Sequence, residues 1–422
     1  MKSYLLKSVT IINRLSTYHQ QTVDVLINDG SIAGIDAAGI DATEGTEVID
    51  GKGQYLTPGF FDLNANFGEP GFETKEDIET GCEAAAAGGF TGLAIMPNTQ
   101  PPIHSKAEVS LIVNQSRGNL VDVYPLGCIS QKREGVELAE MYDMQQCGAI
   151  AFSDGNKPVA DAGLMSRALL YSKGFDALIY SYAEDANIAA KGKMNEGAMS
   201  TYLGMKGNPS IAEELMVVRD LYLAEYNDSK VHFTTVSTER SVNLIRAAKA
   251  KGIKVSCDVA AHHLVLTDDV LVGFDSNYKV KPPLRTQTDV DALLEGLKDG
   301  TIDAIVSQHT PHEIEFKDVE FEIASYGIIG LQTVLPLTLK AGLTIAEIVE
   351  KLAINPRNIL GLVCPKFEVG EKANFILIDT KTSWLYNQES NRSKSSNSPF
   401  LNQEFKGRVT FVANNSQIRR FD

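Results

Sequence analysis

Over residues 57–365, short apolar runs alternate with helical stretches, and this repetition limits the folds open to the chain. The runs fall at 91–96, 149–152, 177–179, 231–233, 253–255 and 304–306. Residues 237–252 show the helical partner of such a run. Ser237 is placed to cap the helix, Val242, Leu244, Ile245 and Ala248 form an apolar face, and Gly252 closes it. Thr344 and Glu347 have capping-box spacing and open another helix, predicted to end before Pro356. Strands that each return through a helix form a parallel sheet, and closure into a (β/α)8 barrel is the predicted α/β architecture.

The two ends of the chain have a different texture. Val23, Val25 and Ile27 alternate with other residues, and Asn28-Asp29-Gly30 signals a turn before Ile32 and Ile35. Strand texture returns after Gly370, at 374–378 and 408–412, around a loop rich in Ser and Asn at 386–399. Segments 1–56 and 366–422 are therefore expected to join into one small β domain beside a barrel spanning 57–365.

Composition narrows the function. The chain has 422 residues, 43% of them hydrophobic, enough for more than one core. Its formal charge is −15, and no basic cluster offsets it, which argues against nucleic acid and against an anionic membrane surface. No stretch of 18 apolar residues is present, and the N-terminus lacks a signal-peptide pattern. Cys82, Cys128, Cys147, Cys257 and Cys364 are scattered without a CxxC pair, as expected of buried thiols in a reducing compartment. A cytoplasmic protein is expected. There is no GxxxxGK[ST] phosphate loop, and Cys257 has no evident base for a nucleophilic role.

The chemistry is to be sought at residues 58–71. A hydrophobic strand runs into Asp62, followed by Asn64 and Asn66. Residues i and i+2 of a strand share a face, so two imidazoles at this spacing can hold one metal ion. Carboxamides are poor zinc donors. Further stretches occur in a definite order: Glu69-Pro-Gly-Phe, Ala84-Ala-Ala-Ala-Gly-Gly-Phe-Thr, Met96-Pro-Asn-Thr, Ala151-Phe-Ser-Asp, Val236-Ser-Thr, His262-His-Leu, Pro282-Pro-Leu-Arg, Gly330-Leu-Gln-Thr and Ile354-Asn-Pro. Together they make the chain resemble a class I-like dihydroorotase of the amidohydrolase superfamily over nearly its full length.

That resemblance implies a hydrolase that opens and closes a cyclic amide. It also implies one or two zinc ions at the barrel mouth, a metal-bound water as nucleophile and an aspartate as proton shuttle. Mapped onto this chain, the first histidine pair falls on Asn64 and Asn66, and the arginine that grips the substrate carboxylate falls on Gly68. The bridging aspartate falls on Asp154 and is kept. Two further histidine ligands fall on Tyr182 and Thr235, the catalytic aspartate on Gln308, and a substrate-binding asparagine on Lys281. Asn98 and His312, substrate contacts in the family, remain. No catalytic set is intact, and no metal or other cofactor is expected.

Three functions follow. The chain resembles non-catalytic dihydroorotase homologues, and the resemblance implies a structural or regulatory partner of aspartate transcarbamoylase in pyrimidine biosynthesis. The second is an active hydrolase, either metal-free or with a metal relocated to His309, His312 and Asp154. The third is a small-molecule binder using Asn98, Lys281 and His312. Lys281 would then supply a point charge in place of a guanidinium fork. Blander roles stand beside these: packing for His232, His262 and His263, and acceptance of hydrogen bonds from Tyr182 or Thr235 for Asp154. A homo-oligomer is expected.

Overall fold

The computed structural model describes residues 3–421. The chain opens with β1 (Ser3–Ile11), β2 (Thr22–Asn28), β3 (Ser31–Asp36), β4 (Thr46–Asp50) and β5 (Tyr55–Pro58). Asn28 pairs with Ser31, so Asp29 and Gly30 alone make the turn, both at positive φ (48° and 73°). A two-residue hairpin loop with that backbone matches the strand twist, and Asp-Gly tolerates it.

Eight parallel strands follow: β6 (Phe60–Ala65), β7 (Phe90–Ile95), β8 (Asp122–Gly127), β9 (Ala151–Phe152), β10 (Ile179–Ser181) and, after a short pair β11 (Met194–Asn195) and β12 (Gly207–Asn208), β13 (Val231–Phe233), β14 (Val255–Ala260) and β15 (Ala304–Val306). They neighbour one another in chain order from β6 to β15. Every residue of β6 and β7 is buried, as expected of strands covered on both faces. A buried apolar cluster joins the barrel to its helices. The predicted (β/α)8 barrel is present.

Last come β16 (Phe375–Tyr386), β17 (Gln403–Asn414) and β18 (Gln417–Arg420). They form one sheet with the first five strands, in the order β18-β17-β16-β5-β1-β2-β3, with β4 on β1. The small β domain is thus assembled from both ends of the chain. Its long hairpin loop, 387–402, reaches back to the barrel. Lys394 N donates to Glu76 (3.0 Å), Asn397 Nδ2 to Thr310 O (3.0 Å) and Ser395 Oγ to Lys75 O (2.7 Å).

Two helix boundaries differ from expectation. Thr238, not Ser237, caps helix Glu239–Ala250, because the Ser237 hydroxyl is donated to buried Glu213. The helix opened by Thr344 does not end before Pro356. After Ile345–Val349 it passes through a wide turn at Glu350–Ile354 into Asn355–Ile359. Pro356 sits in the first turn of that last segment, and the wide turn just before it accommodates a residue that has no N–H to donate.

The barrel closes between β6 and β15 by a thin seam. Ala65 bridges to His309, and Asn66 N donates to His309 O (2.8 Å). Deeper in, the Asp62 carboxylate accepts Ser307 N (3.0 Å) and the Ser307 hydroxyl. Asp62 is fully buried, and burial pushes its pKa up from 3.8 to about 7 despite those hydrogen bonds. A carboxyl raised in the folded state contributes stability that is complete below its unfolded pKa. That contribution is lost as pH rises through the folded pKa, here between about 4 and 7. Asp62→Asn should keep the seam without the titration. Urea unfolding should then lose part of its pH dependence across that window, and stability at pH 8 should rise by on the order of 1–3 kcal/mol. A loss of stability at pH 8 would show that the seam needs the charge.

Candidate functional site

At the C-terminal ends of the barrel strands lies a pocket of about 330 Å³ whose walls include Asn64, Asn66, Asn98, Tyr182, Lys281 and Gln308. Asn64 Nδ2 donates across the mouth to Thr234 Oγ1 (2.9 Å) and Thr235 Oγ1 (3.2 Å). Asn66 Nδ2 donates to His309 O and Thr310 Oγ1 (both 3.0 Å), and its Oδ1 accepts Asn98 Nδ2 (2.5 Å). Gln308 Nε2 donates to Lys281 O (2.9 Å). The carboxamides therefore bond to one another and to their surroundings. An amide can do this because it carries both donors and acceptors.

Thr235 and Gln308 both have left-handed backbone, at φ 58° and 48°. For non-glycine residues this costs on the order of 1–3 kcal/mol each. At Thr235 it is secured by a short bond from its N–H to Asp258 Oδ1 (2.6 Å). Asp258 is itself paired with His232 (2.9 Å), whose other ring nitrogen meets Ser256 Oγ (2.8 Å). His232 is thus a fully buried structural histidine.

One of the two lysines at the mouth is already paired. Lys281 Nζ lies 2.7 Å from Glu184 Oε1, and 6.0 and 5.8 Å from the ring centres of Tyr182 and Tyr326. Lys157 is exposed at the rim. Burial holds the Tyr182 phenol well above its usual range and pushes Tyr326 up to about 12. Neither phenol is a base at neutral pH.

Three expected members of the site do not line the pocket: Thr235, whose neighbour Thr234 does and which meets the site through Asn64, and Asp154 and His312. The Asp154 carboxylate accepts Ile129 N (2.9 Å), Ser130 N (3.0 Å) and Ser130 Oγ (2.5 Å), and not the side chains of Tyr182 or Thr235. Three donors from the loop after β8 fix it away from the pocket. His312 lines a separate cavity, behind the pocket wall, and its Nε2 meets Tyr326 O (3.0 Å). Burial lowers its pKa to about 4. His309 is engaged on both ring nitrogens, by Glu76 (3.3 Å) and by Gly330 N (3.2 Å). Asn98 and Lys281 do share the pocket.

The segment carrying Tyr326 has no motif in the sequence, yet it forms part of the pocket wall. Two buried lysines hold it in place. Lys279 Nζ donates to Phe321 O and Ala324 O (both 2.6 Å), and Lys317 Nζ to Ser325 O (2.9 Å) and Gly327 O (3.0 Å). Burial brings their pKa values down to about 8 and about 7. No local signal marks such lysines, since their partners are backbone carbonyls. Nor does a local signal mark Glu184 as the partner of Lys281, although it lies two residues after Tyr182.

A zinc ion is not accommodated by these residues. Among the described residues no three His, Cys, Asp or Glu side chains converge. The mouth offers carboxamides, hydroxyls and an ammonium already paired with a carboxylate. Gly68 adds a steric observation. A Cβ built there would lie 1.9 Å from Phe72 O and 2.7 Å from Glu76 O, because the chain closes tightly over it.

Known proteins are similar in both sequence and fold. Residues 53–241 match the family described as dihydro-orotase-like. The dihydroorotase of Geobacter metallireducens is 45% identical over 397 residues, covering 93% of each chain. That of Acetivibrio thermocellus is 44% identical over 402 residues, covering 94% of each. The chain belongs to the dihydroorotase family. In fold it is similar to the L-hydantoinase of Arthrobacter aurescens, with a TM-score of 0.85 over 99% of this chain and 96% of that one, at 24% identity. A D-hydantoinase from Thermus sp. gives a TM-score of 0.81 over 99% of this chain and 95% of that one, at 20% identity.

The contact at Gly68 gives a direct test of how far the mouth has closed. Gly68→Ala should destabilise the protein by about 1–3 kcal/mol, as over-packing against fixed backbone does. Chemical denaturation reads this. An unchanged midpoint would mean the 68–76 loop moves aside freely.

Proposed function

We propose that the chain is a catalytically silent dihydroorotase homologue of pyrimidine biosynthesis, acting as a structural or regulatory partner of aspartate transcarbamoylase. The observation that carries the first half is the ionisable content of the pocket. It holds two lysines, one of them paired, and two phenols whose pKa values are raised. Activation of water needs a metal or a base poised near neutral pH, and gripping a carboxylate needs an available cation fork. Gln308 cannot ionise, Gly68 has no side chain, and Lys281 faces Glu184. A relocated metal at His309 and His312 is disfavoured by the contacts both rings already make.

A binding role for the mouth is the second reading. Asn66, Asn98 and Lys281 around a pocket of about 330 Å³ favour a small, neutral, amide-rich ligand. Both readings expect the purified protein to hold well under one zinc per chain after dialysis. Both also expect dihydroorotate hydrolysis and carbamoyl aspartate cyclisation to stay at background. Stoichiometric zinc, or turnover abolished by chelator, would overturn silence.

The partner half rests on family analogy and on one surface. Helix Ile211–Asn227 exposes Ile211 (49%), Leu215 (46%), Tyr222 (69%) and Tyr226 (84%) at spacings that share one face. A stripe of this kind favours association, with a second copy or with another chain. A stable complex should bury about 1,200–2,000 Å². Co-expression with transcarbamoylase should give a complex that co-elutes and that Tyr222→Glu with Tyr226→Glu weakens, at unchanged thermal midpoint. Separate elution at micromolar concentration, with transcarbamoylase activity and stability unaltered, would remove this role.

A further inference from the structure

The molecule has a second cleft that shares no lining residue with the mouth pocket. It lies where β16, β17, their connecting loop and the last described residues meet the barrel helices Ile78–Ala87 and Val334–Lys340. Its volume is about 320 Å³, at the small end of ligand-binding cavities.

Arg392, Arg408 and Arg420 line it together with Trp384 and Phe421, and among the described residues no carboxylate does. The three guanidinium groups differ in what they already hold. Arg420 Nη1 pairs with Glu47 (2.6 Å). Among the described residues, the side chains of Arg392 and Arg408 make no ion pair, and Arg408 Nε is buried without a hydrogen-bond partner. Asp379, which is opposite Arg408 in the strand register, is engaged by Lys381 N (2.7 Å) and Thr382 Oγ1 (2.6 Å).

The walls are set in place. Trp384 Nε1 donates to Gly407 O (2.9 Å), which fixes the indole while leaving it half-buried. Gln332 accepts Arg392 N (2.6 Å) and donates to Ser390 O (2.9 Å), anchoring the loop that carries Arg392.

We propose that this cleft binds a small planar ring bearing an oxyanion, of the nucleoside monophosphate class. Arg392 and Arg408 would take the oxyanion through their paired N–H groups, which match phosphate geometry. Trp384 and Phe421 offer apolar and aromatic surface to the ring, which a bare phosphate would leave uncovered. The site does not depend on whether the barrel mouth is active.

The test is isothermal titration calorimetry of the full chain at low salt with UMP, orotate and inorganic phosphate. UMP should bind with a dissociation constant below 1 mM, and phosphate at least tenfold more weakly. Arg408→Ala should weaken UMP at least tenfold, and Arg408→Lys should fall between. Trp384→Leu should weaken UMP and leave phosphate unchanged. Asn98→Ala, at the mouth, should leave UMP binding unaltered. If Arg408→Ala does not fold, the Arg408→Lys and Trp384→Leu arms decide. The site is overturned if no probe gives heat, or if Asn98→Ala abolishes binding that Arg408→Ala retains. Phosphate binding as tightly as UMP overturns the ring contact, and orotate binding with UMP silent overturns the nucleotide class.

Discussion

The seam between the first and last barrel strands is the contact on which the rest of the molecule depends. Neighbouring strands elsewhere in the barrel pair through their backbones, whereas β6 is joined to the far edge by a bridge from Ala65 to His309, just past β15, and by one buried side chain, Asp62. Asp62 takes both the N–H and the hydroxyl of Ser307. Burying a carboxyl is costly unless its acceptors are filled or it is protonated, and its raised pKa records that cost. The same seam sets the mouth. Asn64 and Asn66 follow Asp62 on one side, and Gln308 and His309 follow Ser307 on the other. Their mutual positions are decided before any of them makes a contact of its own.

A barrel mouth lined with histidines and carboxylates is well satisfied only around a cation. Without one, imidazoles compete for too few acceptors and carboxylates repel. Asn64, Asn66, Asn98, Thr234 and Gln308 solve that problem with neutral groups that bond to each other, to hydroxyls and to backbone carbonyls. The strained backbone at Thr235 and Gln308 persists within this network, held in part by Asp258. A connected polar network of this kind resists rearrangement, since a donor lost at one residue leaves an acceptor unsatisfied at the next.

Features decided within a few residues were legible in the sequence. The Asp29-Gly30 turn, the Thr344 capping box and the strand periodicity that announces the barrel are of this kind. Features decided by a distant partner were not. Ser237 has the residue type of a cap, yet its hydroxyl is taken by Glu213 across the fold. Asp154 sits where the family motif puts it, but its carboxylate turns to Ile129 and Ser130. His312 follows His309 by three residues, yet Tyr326 stands between it and the pocket. Glu76 has no motif at all. It is fully buried and gathers Lys394 N, Ser393 and His309 from the far end of the sequence.

Glu76 also explains why the terminal sheet belongs to the site as well as beside it. The loop between β16 and β17 docks on Glu76, and Asn397 of that loop bonds Thr310 O and Gly327 O (3.1 Å), both residues of the pocket wall. The wall is therefore clamped from outside the barrel, while the tight closure over Gly68 and the turned Asp154 fix it from within. Replacing Asn64, Asn66, Tyr182 and Thr235 by histidine would supply donors without moving either constraint. Asp154 would have to exchange three hydrogen bonds for a metal, and an arginine at 68 would meet the Phe72 carbonyl at 1.9 Å from its Cβ. What separates this mouth from a zinc centre is thus not only its side chains but also the surroundings that hold them, which are built on neutral hydrogen bonds.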